Sequence, residues 1–282
     1  SGSTIENGGI TVKPNVKFKE VIKKVSTNDI VKDASCDFDA TSTITLTERV
    51  LQPEFQQVNL QLCKKDFISD WEAIQMGYSA HHDLPPSFSD FLISHVAAKV
   101  AQRTENSIWA GDTSTNGQFN GLTTQIALDA DLPAGQEVAG TTITAANVIA
   151  EIEKVVDAMP SALYASDGIA IRIPTSVYKF YVQAQSALGA YDAFHERRAQ
   201  FTFQGIPLIH CPGMSDNVMF ATYSNNLYYG VGAAGDEQRV DVLDQTPLDG
   251  SDNVRVVMRF TAGAQIGVIE DVVTYGIANV AN

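Results

Sequence analysis

The residues best suited to chemistry lie in a few short clusters, and each cluster fails on spacing. Gly230-Val-Gly-Ala-Ala-Gly235 matches GxGxxG and follows an apolar run, Leu227-Tyr-Tyr-Gly230. In a dinucleotide site the third glycine lies in a helix whose N-terminus meets the pyrophosphate. Here the next residues, Asp-Glu-Gln-Arg-Val-Asp-Val-Leu-Asp, alternate like a strand, and Asp236 and Glu237 repel phosphate. No βαβ unit surrounds the motif, so it reads as a loop between strands. His81-His82-Asp83 offers metal-ligand side chains, but neighbours in an extended chain point to opposite faces and rarely share one ion. The other histidines, His95, His195 and His210, are distant in sequence. His210 and Cys211 form an adjacent imidazole and thiol and meet the same objection. Glu196-Arg197-Arg198 reads as a charged surface or contact patch rather than an anion site. The chain has neither a GxSxG elbow nor a Gly-Lys pair for a phosphate loop. The expectation is therefore no catalytic residue, no cofactor site and no metal site. An enzyme of unrecognised class using His81, His82 or the Gly230 loop stands as the remote alternative.

At 282 residues the chain holds one large domain or two modest ones. With 44% hydrophobic and 18% charged residues it is an ordinary globular composition. No apolar run approaches the roughly 20 residues that span a bilayer, so no membrane partner is expected. The start, SGSTIENGG, is polar, shows no signal-peptide core and does not open on Met. Cys36, Cys63 and Cys211 are odd in number and lack CxxC spacing, which argues for a reducing compartment rather than a disulfide framework. The net charge of −14 is uneven. Residues 1–32 carry six lysines against three acidic residues, a net of +3, and the remaining 250 residues carry 13 basic and 30 acidic groups, a net of −17. A basic arm on an acidic body either clasps an acidic neighbour, faces a polyanion, or is a solvated tail. The acidic body argues against a dedicated sequence-reading DNA-binding protein.

The elements that would position any site follow from periodicity. Residues 1–25 read as an extended arm. From Ser26 to Lys65 the pattern is β: Ile44 and Leu46 alternate with threonines, and Val58, Leu60 and Leu62 alternate with Asn59 and Gln61. That stretch resembles one long hairpin with edges to cover. Pro85-Pro86-Ser87 opens the strongest helix, with Ser87 as N-cap and Asp90 three residues on. Phe88, Phe91, Leu92, Val96 and Val100 follow at helical spacing until Gly111 stops it, and the apolar pair Ile108-Trp109 ends the helix. More than 20 residues at ~1.5 Å each make a rod of roughly 30–35 Å. A second helix begins near Thr144, carries the stripe Val148, Ile149, Ile152, Val155, Val156 and Met159, and stops at Pro160. Gly168 to Pro174 reads as a buried strand, and Pro174 starts a third helix closed by Gly189. Short strands follow at Phe201–Phe203, Ile206–Ile209 and Val218–Tyr223, the last joined through Ser224-Asn-Asn226 to Leu227–Gly230 by an αL turn. Val254–Phe260 and Gln265–Tyr275 read as an antiparallel pair. The fold class is α+β with antiparallel sheet and segregated helices.

The order of these parts resembles a tailed-phage major capsid protein. The quoted match is Glu105-Asn-Ser-Ile-Trp-Ala-Gly-Asp112 followed by Gly121-Leu122, similar to the close of capsid spine helices. Gly205-Ile-Pro-Leu-Ile and Asn226-Leu-Tyr-Tyr-Gly230 resemble axial-domain strands of that family. The resemblance implies an HK97-like capsid fold. Its parts would be an N-terminal arm over 1–25, an extended hairpin (E-loop) over 26–66, and a peripheral domain with the spine helix over 67–140. An α+β axial domain would span 141–250, with return strands to the peripheral domain over 251–282. It implies a structural protein that self-assembles into the icosahedral head shell around double-stranded DNA. The partners would be other copies of itself in hexamers and pentamers, portal and decoration proteins, and packaged DNA through weak non-specific contact. The location would be the virion, assembled in the host bacterial cytoplasm. Ser1 is compatible with the family's proteolytic maturation. An encapsulin-type nanocompartment is the alternative within the fold, set aside because encapsulins lack so long a basic leading arm. Some members cross-link a hairpin lysine to a neighbour's asparagine, but none of Lys32, Lys64 and Lys65 sits at an evident tip, so that activity is not carried over. Removing residues 1–25 is expected to weaken assembly more than the fold of one subunit.

Overall fold

The computed structural model describes residues 2–27, 31, 33, 43–67, 86–187, 202–233 and 235–280. Two sheets and their helices make up most of it. The first sheet is organised by one long strand, β12 (Asn253–Ile266). Along one edge it pairs antiparallel with β4 (Glu54–Cys63) over ten residues, from Asn253↔Cys63 to Ala262↔Glu54. Along the other edge it takes β11 (Val240–Asp244) and then β10 (Leu227–Val231), which in turn carries β1 (Thr11–Lys13) in parallel. The expected antiparallel pair over Val254–Phe260 and Gln265–Tyr275 is instead this single strand followed by β13 (Val273–Tyr275) in the other sheet.

The second sheet runs in the order β5 (Glu137–Val138), β13, β9 (Met219–Tyr223), β6 (Ile169–Ile173), β8 (Ile206–His210), β7 (Thr202–Phe203). All five residues of β6 are buried, as its unbroken apolar run predicts. Helices α3 (Val148–Asp157), α4 (Ser161–Tyr164) and α5 (Thr175–Ala187) pack on this sheet. Val148, Ile152, Val155, Val156 and Met159 are buried as read, although α3 begins at Val148 rather than near Thr144. The residues expected to close α5 lie outside the described residues.

The long helix α1 (Pro86–Ala110) crosses the first sheet. It starts at Pro86, so Ser87 falls inside the helix and not at its cap. Phe88, Leu92 and Val96, spaced by four, are buried against Val254 and Val256 of β12. Each such side chain is worth about 1.5–3 kcal/mol on leaving water. Phe91, expected in that stripe, stays 43% exposed and stacks on His95, because it lies 100° round the helix from Leu92. At the far end Ile108 and Trp109 are buried with Phe119, the short helix α2 (Leu122–Ala127), and strands β10 and β12. A Cβ on Gly111 would collide with the Phe119 and Ser107 carbonyls, and one on Gly121 with the Trp109 carbonyl. Only glycine lets the chain double back so closely, with Gly121 N–H donating to the Gly111 carbonyl at 2.9 Å.

Two expectations about the N-terminal third are corrected. The hairpin is formed by β2 (Glu20–Thr27) and β3 (Ile44–Leu51), paired from Glu20↔Leu51 to Thr27↔Ile44. Its first strand lies largely in the segment read as arm, and β4 leaves the hairpin for the edge of β12. Pro53 sits where β3 and β4 part. The arm itself is no outlying limb. Thr4, Ile10 and Val16 are buried, β1 extends the first sheet, and the Asn15 and Val16 amides donate to the carbonyls of Gly232 and Val231 at 2.7 and 3.0 Å. Residues 2–16 form a strap across the body of their own chain.

The expected effect of Ile10→Ala is a loss of roughly 2–4 kcal/mol, read as a lower urea midpoint of the isolated chain. Deleting residues 2–16 should cost more still, before any association is possible. A midpoint unchanged by the deletion would show that the strap contributes nothing to the fold.

Candidate functional site

The glycine motif has a steric explanation. A Cβ on Gly230 would press on the Leu51 side chain at 2.9 Å, and one on Gly232 would collide with the Thr261 hydroxyl. Gly235 has φ +105°, a left-handed conformation. The segment continues through a 3-10 turn at Asp236–Gln238 into β11, so no helix N-terminus faces a phosphate. His210 Nε2 lies 2.9 Å from the Thr175 hydroxyl, and its ring packs 5.0 Å from that of Tyr178. Cys211 is fully buried, and that burial pushes its thiol up to about 12, far from a nucleophilic thiolate. Lys64, considered above for cross-linking, is buried with Nζ 2.5 Å from Asp244 and 2.9 Å from the Thr246 hydroxyl. Lys65 is exposed and Cys63 half-buried. His81, His82, Asp83, Glu196, Arg197, Arg198, Lys32 and Cys36 lie outside the described residues. Among the described residues no group of three or more metal-ligating side chains comes together.

What the structure does gather is a receptor for the strap. Glu105 and Trp109 are one helical turn apart on α1, and both hold Thr4. The Thr4 amide donates to Glu105 Oε1 at 3.0 Å, its hydroxyl donates to the same carboxylate, and Trp109 Nε1 donates to the Thr4 hydroxyl at 3.0 Å. Trp109 also packs edge-on against Phe220 at 5.9 Å. Arg172, in the middle of β6, is fully buried. It donates from Nε to the Gly9 carbonyl at 2.9 Å, from Nη1 to the carbonyls of Ala170 and Thr222, and from Nη2 to the Ser224 hydroxyl at 3.2 Å. Burial lowers its pKa to about 10, so it keeps its charge at neutral pH. Ser224 in turn donates to the Gly8 carbonyl at 2.9 Å. Asn226 joins the sheets: its amide donates to the Val268 carbonyl at 2.7 Å, and its side-chain oxygen accepts from the Val268 N–H at 2.6 Å. It does so without the αL turn expected of it, and it connects strands of different sheets rather than a hairpin. Sequence reading passed over Thr4 and Arg172 and took Asn226 only for a turn residue. The one available signal was an arginine inside an otherwise apolar strand, IAIRI.

The β2–β3 ribbon has two unlike faces. Its inner face meets its own body. Leu51 is fully buried, Arg49 lies 2.6 Å from Asp129 and 3.8 Å from Asp131, and Lys24 lies 3.0 Å from Glu270. Burial raises the Asp129 carboxyl, but the Arg49 hydrogen bond, the Asp131 amide and the Arg49 charge outweigh it and hold the group below the usual range. Glu270 is also held low: burial raises it, and its own backbone amide and Lys24 more than compensate. The outer face carries the pairs Val21↔Val50, Lys23↔Glu48, Val25↔Leu46 and Thr27↔Ile44. Val25 is 61% exposed, Leu46 59% and Ile44 70%, and nothing in the described chain covers them. Lys23 and Glu48 lie 3.4 Å apart between the apolar pairs. An apolar sheet face with a centred ion pair is a surface for another protein surface, not for a small substrate.

The sequence matches no protein-family model and no curated protein. The fold does find likenesses. The capsid of an empty GTA particle superposes with a TM-score of 0.65 at 13% identity, covering 97% of this chain and 88% of that one. A chain of Mycobacterium phage Adephagia gives 0.62 at 15% identity, over 98% and 90%. The capsid of Myoviridae phage XM1 gives 0.59 at 16% identity, over 97% and 92%. The chain therefore has the HK97-like capsid fold.

Two measurements check this surface. A carboxylate held low in the fold stabilises above its unfolded pKa of about 4, and the effect is lost as pH falls through the lower folded value. Amide protection in residues 44–51 should therefore drop as the solution is acidified below about pH 4, and Asp129→Asn should remove most of that dependence. Separately, Arg172→Met leaves the carbonyls of Gly9 and Thr222 without this donor and should cost roughly 2–4 kcal/mol in urea unfolding. A wild-type midpoint for that variant would show that the guanidinium does not hold the strap.

Proposed function

We propose that this chain is the major capsid protein of a tailed, double-stranded DNA phage. Copies tile an icosahedral head shell through hexamers and pentamers. The carrying observation is the ribbon: on an HK97-like fold, its outer apolar face is uncovered in the single chain. Such a face buries itself on a neighbour, and heterologous contacts between identical chains build closed shells when their rotations close. Interfaces of this kind reach thousands of Å² per pair.

In this reading the strap, α1 and the first sheet form the peripheral part, the second sheet with α3, α4 and α5 forms the axial part, and the ribbon is the extended loop. The strap serves the subunit itself. Portal and decoration proteins and the packaged DNA are the further partners. The location is the virion, after assembly in the cytoplasm of a bacterial host. Among the described residues no helix is long and apolar enough to cross a membrane. The buried thiol of Cys211 and the ion-paired Lys64 support a structural rather than catalytic role.

The alternative use of the fold, a nanocompartment shell, differs in what it encloses. Phage particles recur among the structural likenesses, which favours a DNA container.

Val25→Asp with Leu46→Asp should abolish particles seen by negative-stain microscopy and light scattering, while leaving the circular dichroism of the dispersed chain unchanged. A wild-type chain that stays monomeric across salt, pH and concentration would overturn the shell reading. Particles that hold a cargo enzyme and no nucleic acid would favour the nanocompartment.

A further inference from the structure

In an Asn-Gly dipeptide the glycine nitrogen can reach the asparagine's side-chain amide, because glycine has no Cβ to hold it away. The chain has three such pairs: Asn7-Gly8, Asn116-Gly117 and Asn120-Gly121. The fold ties down two of them. Asn7 Nδ2 donates to the carbonyls of Gly2 and His210 at 3.2 and 2.6 Å, and the Gly8 amide donates to the Ile5 carbonyl at 3.1 Å. Asn120 Oδ1 accepts from the amide and the hydroxyl of Thr113, both at 3.1 Å. Gly121 is buried, with its amide on the Gly111 carbonyl. Asn116-Gly117 differs at each point. Both residues are exposed in the loop between α1 and α2, and Gly117 has φ +73°. The Asn116 carbonyl accepts from Arg103 Nη2 at 3.5 Å, but among the described residues neither the Asn116 side chain nor the Gly117 N–H makes a hydrogen bond. The attacking nitrogen and the amide it attacks are both uncommitted.

We propose that Asn116 is a site of spontaneous deamidation, selected by the fold over Asn7 and Asn120, and that the carboxylate it produces pairs with Arg103. The Gly117 nitrogen bonds to Asn116 Cγ, the Cγ–Nδ2 bond breaks, and the Gly117 proton leaves with the amide nitrogen as ammonia. Water then opens the cyclic imide. Attack at Cγ leaves aspartate; attack at the backbone carbonyl leaves isoaspartate, with an extra methylene in the main chain. Water is the one co-reactant, and no electrons change hands. The position gives the change a consequence. Asn116 and Gly117 line a groove of about 430 Å³ between α1 and β4, together with His95, Lys99 and Arg103. None of its lining residues is an aspartate or glutamate, in a chain of net charge −14. Lys99 and Arg103 enter no ion pair among the described residues. Deamidation therefore sets a negative charge into a basic rim and offers Arg103 a partner.

The full-length chain, held in mildly alkaline buffer made with heavy-oxygen water, would be digested and mapped by mass spectrometry, the label marking each imide that opened. In the folded chain Asn116 should convert roughly tenfold faster than Asn7 or Asn120, the factor that one protecting hydrogen bond supplies. In urea, where those bonds are gone, the three should convert at similar rates. Asn7 or Asn120 keeping pace with Asn116 in the folded chain would overturn the selection. So would an Asn116 that stays intact when folded yet converts in urea. For the rim, Asn116→Asp stands in for the product in the dispersed chain. The carboxyl it introduces should titrate by NMR below the ordinary aspartate value of about 3.9, and adding Arg103→Gln should restore that value. An ordinary value with Arg103 present, or a lowered one that survives its removal, would overturn the pairing.

Discussion

The fold turns on a cation in a dry place. Arg172 sits in the centre of β6 with no exposed surface, and no carboxylate among the described residues pairs with it. Burying a charge is costly unless every proton of the group finds an acceptor. The acceptors here come from four places: the strap at Gly9, β6 itself at Ala170, β9 at Thr222, and the turn before β10 at Ser224. The last turn leads from the second sheet to the first, so one side chain ties both sheets to the N-terminal segment. The requirement runs in both directions. The strap needs Arg172 and Thr4's partners to stay down, and Arg172 needs the strap's carbonyl to remain buried.

The same economy governs the ribbon. A two-stranded sheet is marginal alone. Its inner face therefore uses Leu51, Arg49 and Lys24 against its own body, and only the alternate residues remain for a neighbour. Period-two geometry separates the two tasks residue by residue. It also explains the glycine at 230: the fingerprint-like run there makes room for Leu51 at the ribbon's root, and its resemblance to a phosphate loop is a coincidence of sterics.

How much of this was legible in the sequence depended on the range of the cause. The α1 stripe apart from Phe91, the stop at Gly111, the buried pair Ile108-Trp109, the apolar run of β6 and most of the α3 stripe are local patterns, and they appear as read. Strand partnership is not local. β4 pairs with residues some two hundred positions away, and alternation alone does not say whether Val58 to Leu62 faces Ile44 to Val50 or β12. β2 was obscured because Lys23 and Lys24 break its apolar rhythm, though Val21 and Val25 sit on one face. The strap was misjudged for a related reason. Its buried residues are few, and its anchoring is by backbone groups meeting Arg172, Glu105 and the carbonyls of Val231 and Gly232, which composition does not reveal. Of the candidate site, the absence of a catalytic grouping was argued from spacing, whereas the ribbon's two faces required the register.

The strap's last anchored residue, Val16, and the ribbon's first paired residue, Glu20, are separated by only Lys17, Phe18 and Lys19. So short a tether has no slack to absorb displacement. Any force that drags the ribbon sideways is delivered to the Asn15 and Val16 amides, and from there to the β1–β10 pairing. Strain applied at the periphery of one molecule is thereby felt at its innermost arginine.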